Sequence, residues 1–293
     1  MRMILRLTVA LAVVTAAPAC RPVEEGDGRL RIVASAFPLA EAAERVGGDR
    51  VRVRNLTPPG MEPHDLELAP DDLARIVEAD LVLYVDAGFQ PAVEDAVAQA
   101  GGRALDVLSV TRTLAVGGAV DPHVWLDPSR FADVVEAIAG VLADLDPGHR
   151  SDYRANAAAY LGELRRLDEA YRAGLASCRS RVLVVSHAAF GYLADAYGLR
   201  QEAITGLSPE SEPDPSRLAE LRALVRAEGV TTVFSEELVS PAVASALAQE
   251  AGVRTALLSP LEGLTPRELE AKEDYGSIMR RNLRTLEVAL GCS

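Results

Sequence analysis

The feature that most limits what this chain can fold into is an alternation of short β-rich runs with helical ones that begins, stops over residues 128–176, and begins again. Residues 30–36, 51–56 and 79–86 read as strands from their β-branched content and length. Residues 38–46 and 70–78 between them have helical spacing, and each opens on a proline suited to a first helical turn. The series resumes with strands at 181–186, 230–235 and 253–258, separated by helices at 189–198, 214–228 and 241–251. Strands that alternate with helices form parallel sheets covered on both faces, so the pattern predicts an α/β fold with one such sheet in each half. In the strand-free centre, 128–145 and 149–176 are helical. Tyr160, Leu164, Leu167, Tyr171 and Leu175 recur at the spacing of a core-facing stripe. At about 1.5 Å per residue the second helix reaches roughly 40 Å. The expectation is two lobes, 30–148 and 178–293, each with its own core, joined by a rigid linking helix over 149–177 with a ligand site in the cleft between them. The alternative is one larger α/β domain carrying a long surface helix.

The first residues restrict where such a protein works. Arg2 and Arg6 precede an apolar run, Leu7–Ala17, that is too short to span a bilayer but fits an export signal over residues 1–19. Cys20, directly after small residues, resembles the lipidated cysteine of bacterial lipoproteins, with Ala17 where that motif prefers Leu. The polar segment 20–29 then reads as a tether. This predicts an exported lipoprotein held by an N-terminal lipid on the outer face of the cytoplasmic membrane, or a periplasmic protein if cleavage occurs without lipidation. Loss of Arg2 and Arg6 takes the net charge from −13 to −15. That balance argues against nucleic acid as a partner; it suits a cation, though it also simply secures solubility. With 49% hydrophobic and 25% charged residues the chain is not disordered. Cys178 and Cys292 remain, and in an exported setting they are expected to pair, the alternative being two free thiols.

The sequence holds four histidines, and three fall where a parallel sheet presents its ligands, in loops beyond the carboxyl ends of strands. His64 follows the second strand, His123 lies in Asp121-Pro-His-Val-Trp-Leu-Asp-Pro128, and His187 ends the first strand of the second half. His149, at a helix start, reads as solvated. Each histidine taken alone is more often structural than a ligand. Three together suit a borderline cation such as Zn²⁺. A fourth donor should come from the second half: Glu262 follows the strand 253–258, and Glu236 and Glu237 follow its neighbour. Either of the latter two could equally begin a helix, where carboxylates favour the positive end.

Pro63-His-Asp-Leu-Glu67, the His123 segment, Ser186-His-Ala-Ala-Phe-Gly-Tyr192, Phe234-Ser-Glu-Glu-Leu-Val-Ser-Pro241 and Ser259-Pro-Leu-Glu-Gly-Leu-Thr265 occur in this order. Together they resemble the zinc/manganese solute-binding lipoproteins of bacterial ABC metal importers, over essentially all of residues 30–292. Residues 274–283 resemble that family's closing helix. The resemblance implies two α/β lobes bridged by one long helix, a divalent metal in the cleft, and delivery to a membrane permease. It implies ligand roles for His64, His123 and His187, the last marking the zinc branch, since the manganese branch carries a glutamate there. Many members have an aspartate at the position of Ser259 and some a glutamate at that of Glu262, so Glu262 is assigned as the fourth ligand. The pairing of Cys178 with Cys292 resembles a disulfide of related lipoproteins. The histidine-rich loop of many zinc members is absent, with only residues 108–120 in its place.

The reading is therefore a monomeric, non-enzymatic carrier whose transported ligand is Zn²⁺. Asp65, Glu67 and Asp127 are candidates for fixing the histidine tautomers, with capping or solvation the competing role for each. A manganese-specific carrier of the same family is one alternative. Another is a zinc hydrolase or lyase in which water fills the fourth position. Adhesion with the same fold would leave no motif.

Overall fold

A computed structural model describes residues 28–293. The export signal, Cys20 and the tether up to residue 27 lie outside the described residues. The first half runs β1 (Leu30–Ala34), α1 (Phe37–Gly47), β2 (Val51–Asn55), α2 (Pro70–Glu78), β3 (Leu81–Tyr84), α3 (Pro91–Ala100) and β4 (Ala104–Asp106). A small hairpin of β5 (Ala115–Val116) and β6 (Ala119–Val120) leads to α4 (Pro128–Leu145) and the long α5 (Arg150–Gly174). The second half runs β7 (Val182–Val185), α6 (Gly191–Tyr197), β8 (Arg200–Ala203), α7 (Pro215–Ala227), β9 (Thr232–Ser235), α8 (Ala242–Ala251), β10 (Arg254–Leu257), α9 (Pro266–Glu270) and α10 (Tyr275–Leu290).

Both principal sheets are parallel and have the same topology. The orders are β2-β1-β3-β4 and β8-β7-β9-β10, so in each the first strand is central and the second lies outside it. This shared order is invisible as a sequence repeat. Alternation along the central strands sets the layers. Ile32 and Ala34 point to one side of the first sheet and Val33 to the other; Leu183 and Val185 oppose Val182 and Val184 in the second.

The inward-facing sets do not form separate lobe cores, as the sequence had suggested. They merge into one buried cluster running from Ile32, Leu39 and Leu83 through α4 and α5 to Leu183, Phe190, Leu258 and Met279. Only the outer faces keep their own smaller clusters, around Val33, Leu56 and Val93 in the first half and Val184, Leu221 and Val233 in the second. The reason lies in α5. Its stripe of Tyr153, Ala157, Tyr160, Leu164, Leu167 and Tyr171 is buried against α4 and α1 from one half and α10 from the other. The linking helix is thus the spine of a shared core.

Hydrogen bonds from buried groups cross the same seam. Trp125 donates its indole N–H to Pro260 O at 2.8 Å, and Tyr275 donates its hydroxyl to Trp125 O at 2.6 Å. The Tyr275 backbone N–H meets the Glu41 carboxylate at 2.7 Å, and Tyr171 donates to Met279 O at 2.7 Å. Such groups would lose about 1–3 kcal/mol each if left unpaired.

The elements without sequence expectations are short or weakly patterned. β4 has three residues, β8 is the apolar-poor run Arg-Gln-Glu-Ala at a sheet edge, and α3 is an alanine-rich segment without a clear stripe. Neighbouring strands, rather than local preference, make the two edge strands extended.

Cys178, just beyond α5, is bonded to Cys292, just beyond α10, closing a separation of 114 residues. Backbone bonds from Arg179 and Ser180 to Leu290 O, both 3.1 Å, fasten the same two ends. A loop this long carries a stabilisation of about 2–5 kcal/mol. Changing both cysteines to serine should lower Tm accordingly. Reductant should bring the wild-type protein down towards that value while leaving the serine variant's Tm unmoved; scanning calorimetry of the two proteins with and without reductant checks this.

Candidate metal centre

Four loops bring side chains to one point at the carboxyl ends of the two sheets. His64 sits in a 3₁₀ turn, Pro63–Asp65, after β2. Glu62 caps that turn, accepting the His64 backbone N–H at 3.3 Å. The fully buried Gln90 supports it from below, donating to Pro63 O at 3.2 Å, Ser35 O at 3.2 Å and Thr57 Oγ1 at 3.1 Å. His123 opens a second 3₁₀ turn, Val124–Leu126, after the β5–β6 hairpin. His187 follows β7, and Glu262 follows β10.

The Glu262 loop is held from both halves. Asn282 of α10 accepts the Ser259 N–H at 3.0 Å and donates to Ser259 O at 2.7 Å. Trp125 holds Pro260, and Gly60 of the His64 loop donates its N–H to Leu264 O at 2.7 Å. Leu261, immediately before Glu262, has φ +57°, a left-handed backbone that a branched side chain adopts only when its surroundings impose it.

Within this frame Glu262 Oε1 lies 3.0 Å from His123 Nε2, 3.1 Å from His187 Nε2 and 3.8 Å from His64 Nε2. One donor atom from each of the four residues falls within 4.8 Å of the others. A tetrahedral zinc ion with bonds of about 2.0–2.1 Å needs donors about 3.3 Å apart, so the shell would form with Glu262 easing slightly away from His123 and His187 while the longer separations, such as that to His64, draw in. His64 is nearly buried, and the other three are fully so.

Carboxylates fix the other ring nitrogens. Asp121 accepts from His123 Nδ1 at 2.8 Å and from its backbone N–H at 2.9 Å. Glu236 lies 2.8 Å from His187 Nδ1 and accepts the His187 backbone N–H at 3.3 Å. With Nδ1 occupied in this way, Nε2 of each ring is turned towards Glu262. Burial opposes charge on His187, yet Glu236 and Glu262 hold its imidazole well above the usual range; burial likewise opposes charge on His123, which Asp121 and Glu262 nevertheless raise. Burial would also raise Glu262, but the three imidazoles keep it well below the ordinary carboxylate range. Burial and the charge of Glu262 push Glu62 up to about 9.

The remaining expectations separate clearly. Glu236 supports His187, and Glu237 pairs with Arg281 at 3.4 Å, its carboxyl pushed up to about 7 by burial and by Glu268. His149 bonds Asp146 at 2.7 Å, away from the cluster. The tautomer-fixing roles expected of Asp65, Glu67 and Asp127 are corrected. Asp65 and Glu67 point into solvent. Asp127 caps α4 through Ser129 N–H at 2.8 Å and pairs with Arg130 at 3.1 Å. Asp121 had a local signal, since an aspartate two residues before a backbone N–H favours this turn. Glu236 reaches His187 across 49 positions and had none.

Comparisons with known proteins place the chain in a family. A model of the family described as "ZnuA: Zinc-uptake complex component A periplasmic" matches residues 32–289. The chain is 36% identical over 289 residues to the zinc-binding protein AdcA of Streptococcus pyogenes, covering 89% of this chain but only 56% of that relative, so it spans little more than half of that protein's length. It is 34% identical over 284 residues to the high-affinity zinc uptake system protein ZnuA of Bacillus subtilis, covering 91% of this chain and 89% of that one. The Zn(II)-bound ZnuA-like domain of Streptococcus pneumoniae AdcA superposes with a TM-score of 0.79 at 38% identity, over 90% of this chain and 99% of that domain. The zinc-binding TroA of Treponema pallidum, at 24% identity and TM-score 0.83, shares the fold. The chain belongs to the ZnuA family of zinc-uptake components.

Proposed function

We propose that this chain is an extracytoplasmic solute-binding protein that captures Zn²⁺ through His64, His123, His187 and Glu262 and delivers it to an ABC-type importer permease. The observation that carries the reading is the convergence of three imidazole Nε2 atoms on one buried carboxylate oxygen, with Nδ1 of two rings already held by Asp121 and Glu236. Three imidazoles favour zinc over the harder manganese ion. The ion with Glu262 carries a net charge of roughly +1, and Asp121 and Glu236 behind the rings take the whole to roughly −1. The electrostatics therefore favour retention of a dication.

The shell also argues for binding rather than catalysis. A zinc hydrolase keeps one position open for water and sets a base beside it. Here Glu262 takes that fourth position, and Glu237, the other base considered, is engaged with Arg281. Membrane attachment through Cys20, action as a monomer and transfer to a permease complete the reading, supported by a relative named as the zinc-binding lipoprotein AdcA of S. pneumoniae. The shared core and the bonds across the seam imply that release involves only a small lobe rearrangement. Small-angle scattering of metal-free and zinc-loaded protein should give nearly equal radii of gyration, and a large metal-dependent change would contradict the shared-core argument.

Calorimetric titration of metal-stripped protein tests the ligand set. Zn²⁺ should bind more tightly than Mn²⁺, Glu262→Ala and His187→Ala should each weaken zinc binding by at least tenfold, and Glu237→Ala should not. Tighter Mn²⁺ binding would overturn the specificity, and loss in Glu237→Ala alone would overturn the fourth ligand.

Protons compete for the same nitrogens. Because His123 and His187 favour the charged form, zinc binding near neutral pH should release protons, and affinity should fall as pH is lowered. Titrations in buffers of different ionisation enthalpy measure that release. An affinity that rises on acidification would contradict the assignment.

A further inference from the structure

The seam behind His123 closes on a glycine. Asp121 is fully buried; its Oδ1 takes both hydrogen bonds from His123, and its Oδ2 faces the start of α6 with no hydrogen-bond partner among the described residues. Opposite lies Gly191, the first residue of α6 and part of the same short segment as His187. A Cβ at Gly191 would stand 2.5 Å from Asp121 Oδ2, a separation that real side chains essentially never show.

Neither side can retreat freely. The Asp121 carbonyl accepts the Tyr192 hydroxyl at 2.7 Å, and that hydroxyl also accepts the Leu114 N–H at 3.0 Å. Phe190 donates its N–H to Gln201 Oε1 at 2.5 Å, pinning the start of the helix from the far side. The backbone gives no reason for a glycine here. Gly191 is not among the residues with positive φ, and alanine is the better helix former. The close approach is the reason, and it brings the His123 and His187 rings, from opposite halves of the chain, to 5.3 Å between centroids.

We propose that Gly191 is a positioning residue for the metal centre: having no side chain, it lets the start of α6 close on Asp121, which in turn holds His123 Nε2 towards Glu262. The consequence for zinc rests on the function proposed above; the seam itself does not. A side chain at 191 displaces the Asp121 carboxylate, breaks or lengthens its bond to Nδ1 and frees the imidazole to turn. Loss of such an orienting partner typically weakens metal binding 10- to 100-fold.

The test is a mutant cycle of Gly191→Ala, Asp121→Ala and the double variant, with Gly140→Ala as the control because a Cβ there meets open space. In metal-free protein, imidazole ¹⁵N–¹H spectra report the His123 Nδ1–H. Its hydrogen-bonded signal should be present in wild type and Gly140→Ala and displaced in Gly191→Ala. Zinc affinity by competition with a chelating dye should fall 10- to 100-fold in Gly191→Ala and stay unchanged in Gly140→Ala. On the Asp121→Ala background, where the opposing carboxylate is gone, adding Gly191→Ala should cost nothing further in zinc affinity, and any loss of Tm caused by Gly191→Ala should be recovered. A wild-type ring signal in Gly191→Ala would overturn the proposal. So would an affinity or Tm loss as large on the Asp121→Ala background as on the wild type. If wild-type protein bound no zinc, the proposed function would fall while the ring signals and Tm cycle still decided the seam.

Discussion

Burying the Glu262 carboxylate is the constraint around which the rest of the site is arranged. An ionised carboxylate in a protein interior costs several kcal/mol unless it is paired. At Glu262 the imidazoles of His64, His123 and His187 do the pairing. Two of those rings are in turn steadied by Asp121 and Glu236, so the cluster is built outward in shells of alternating charge. A core that merges across the two halves keeps water away from it, and the same burial that makes the carboxylate costly makes each of its contacts strong.

Such an arrangement requires loops from four places to meet within a few ångströms, and parallel sheets provide for that. Each central strand delivers its following loop to the same end of its sheet. With both sheets in one topology and their inner faces pressed on α4 and α5, the two loop ends face each other. The spine helix serves the site by fixing the distance between the halves. The disulfide and the Leu290 carbonyl, which ties down the chain after α5, hold its far end.

The sequence revealed much of this because the relevant signals were local. Alternating periodicity marked the central strands, and the prolines at 38, 70 and 128 marked helix starts. The placement of His64, His123 and His187 after strands or in loops marked one end of the sheets. What stayed hidden depends on distant partners. β8 is a strand only because β7 lies beside it, and Glu236 is an orienting carboxylate only because β7 and β9 are adjacent. Asp65 and Glu67 looked suited to that task by their nearness to His64 in sequence. The 3₁₀ turn leaves Asp65 exposed and buries Glu62 instead, and Glu67, in the extended segment beyond the turn, is exposed as well. The merger of the two expected cores was hidden for the same reason. A stripe on a helix shows that it is buried, but not that the elements burying it come from both halves.

The Glu262 loop shows why that merger matters for function. Its chain neighbours are β10 and α9 in the second half, yet its hydrogen bonds run to Trp125 and Gly60 in the first as well as to Asn282. Glu262 therefore belongs mechanically to both halves. A rigid opening of the lobes would have to break the Trp125 and Gly60 bonds and expose the shared core before it moved Glu262 away from His64 and His123. Moving the loop alone would break those same bonds and the Asn282 pair as well, but it leaves the core between the two sheets buried. In a fold with a shared core, displacing one loop therefore exposes less buried surface than separating the two sheets.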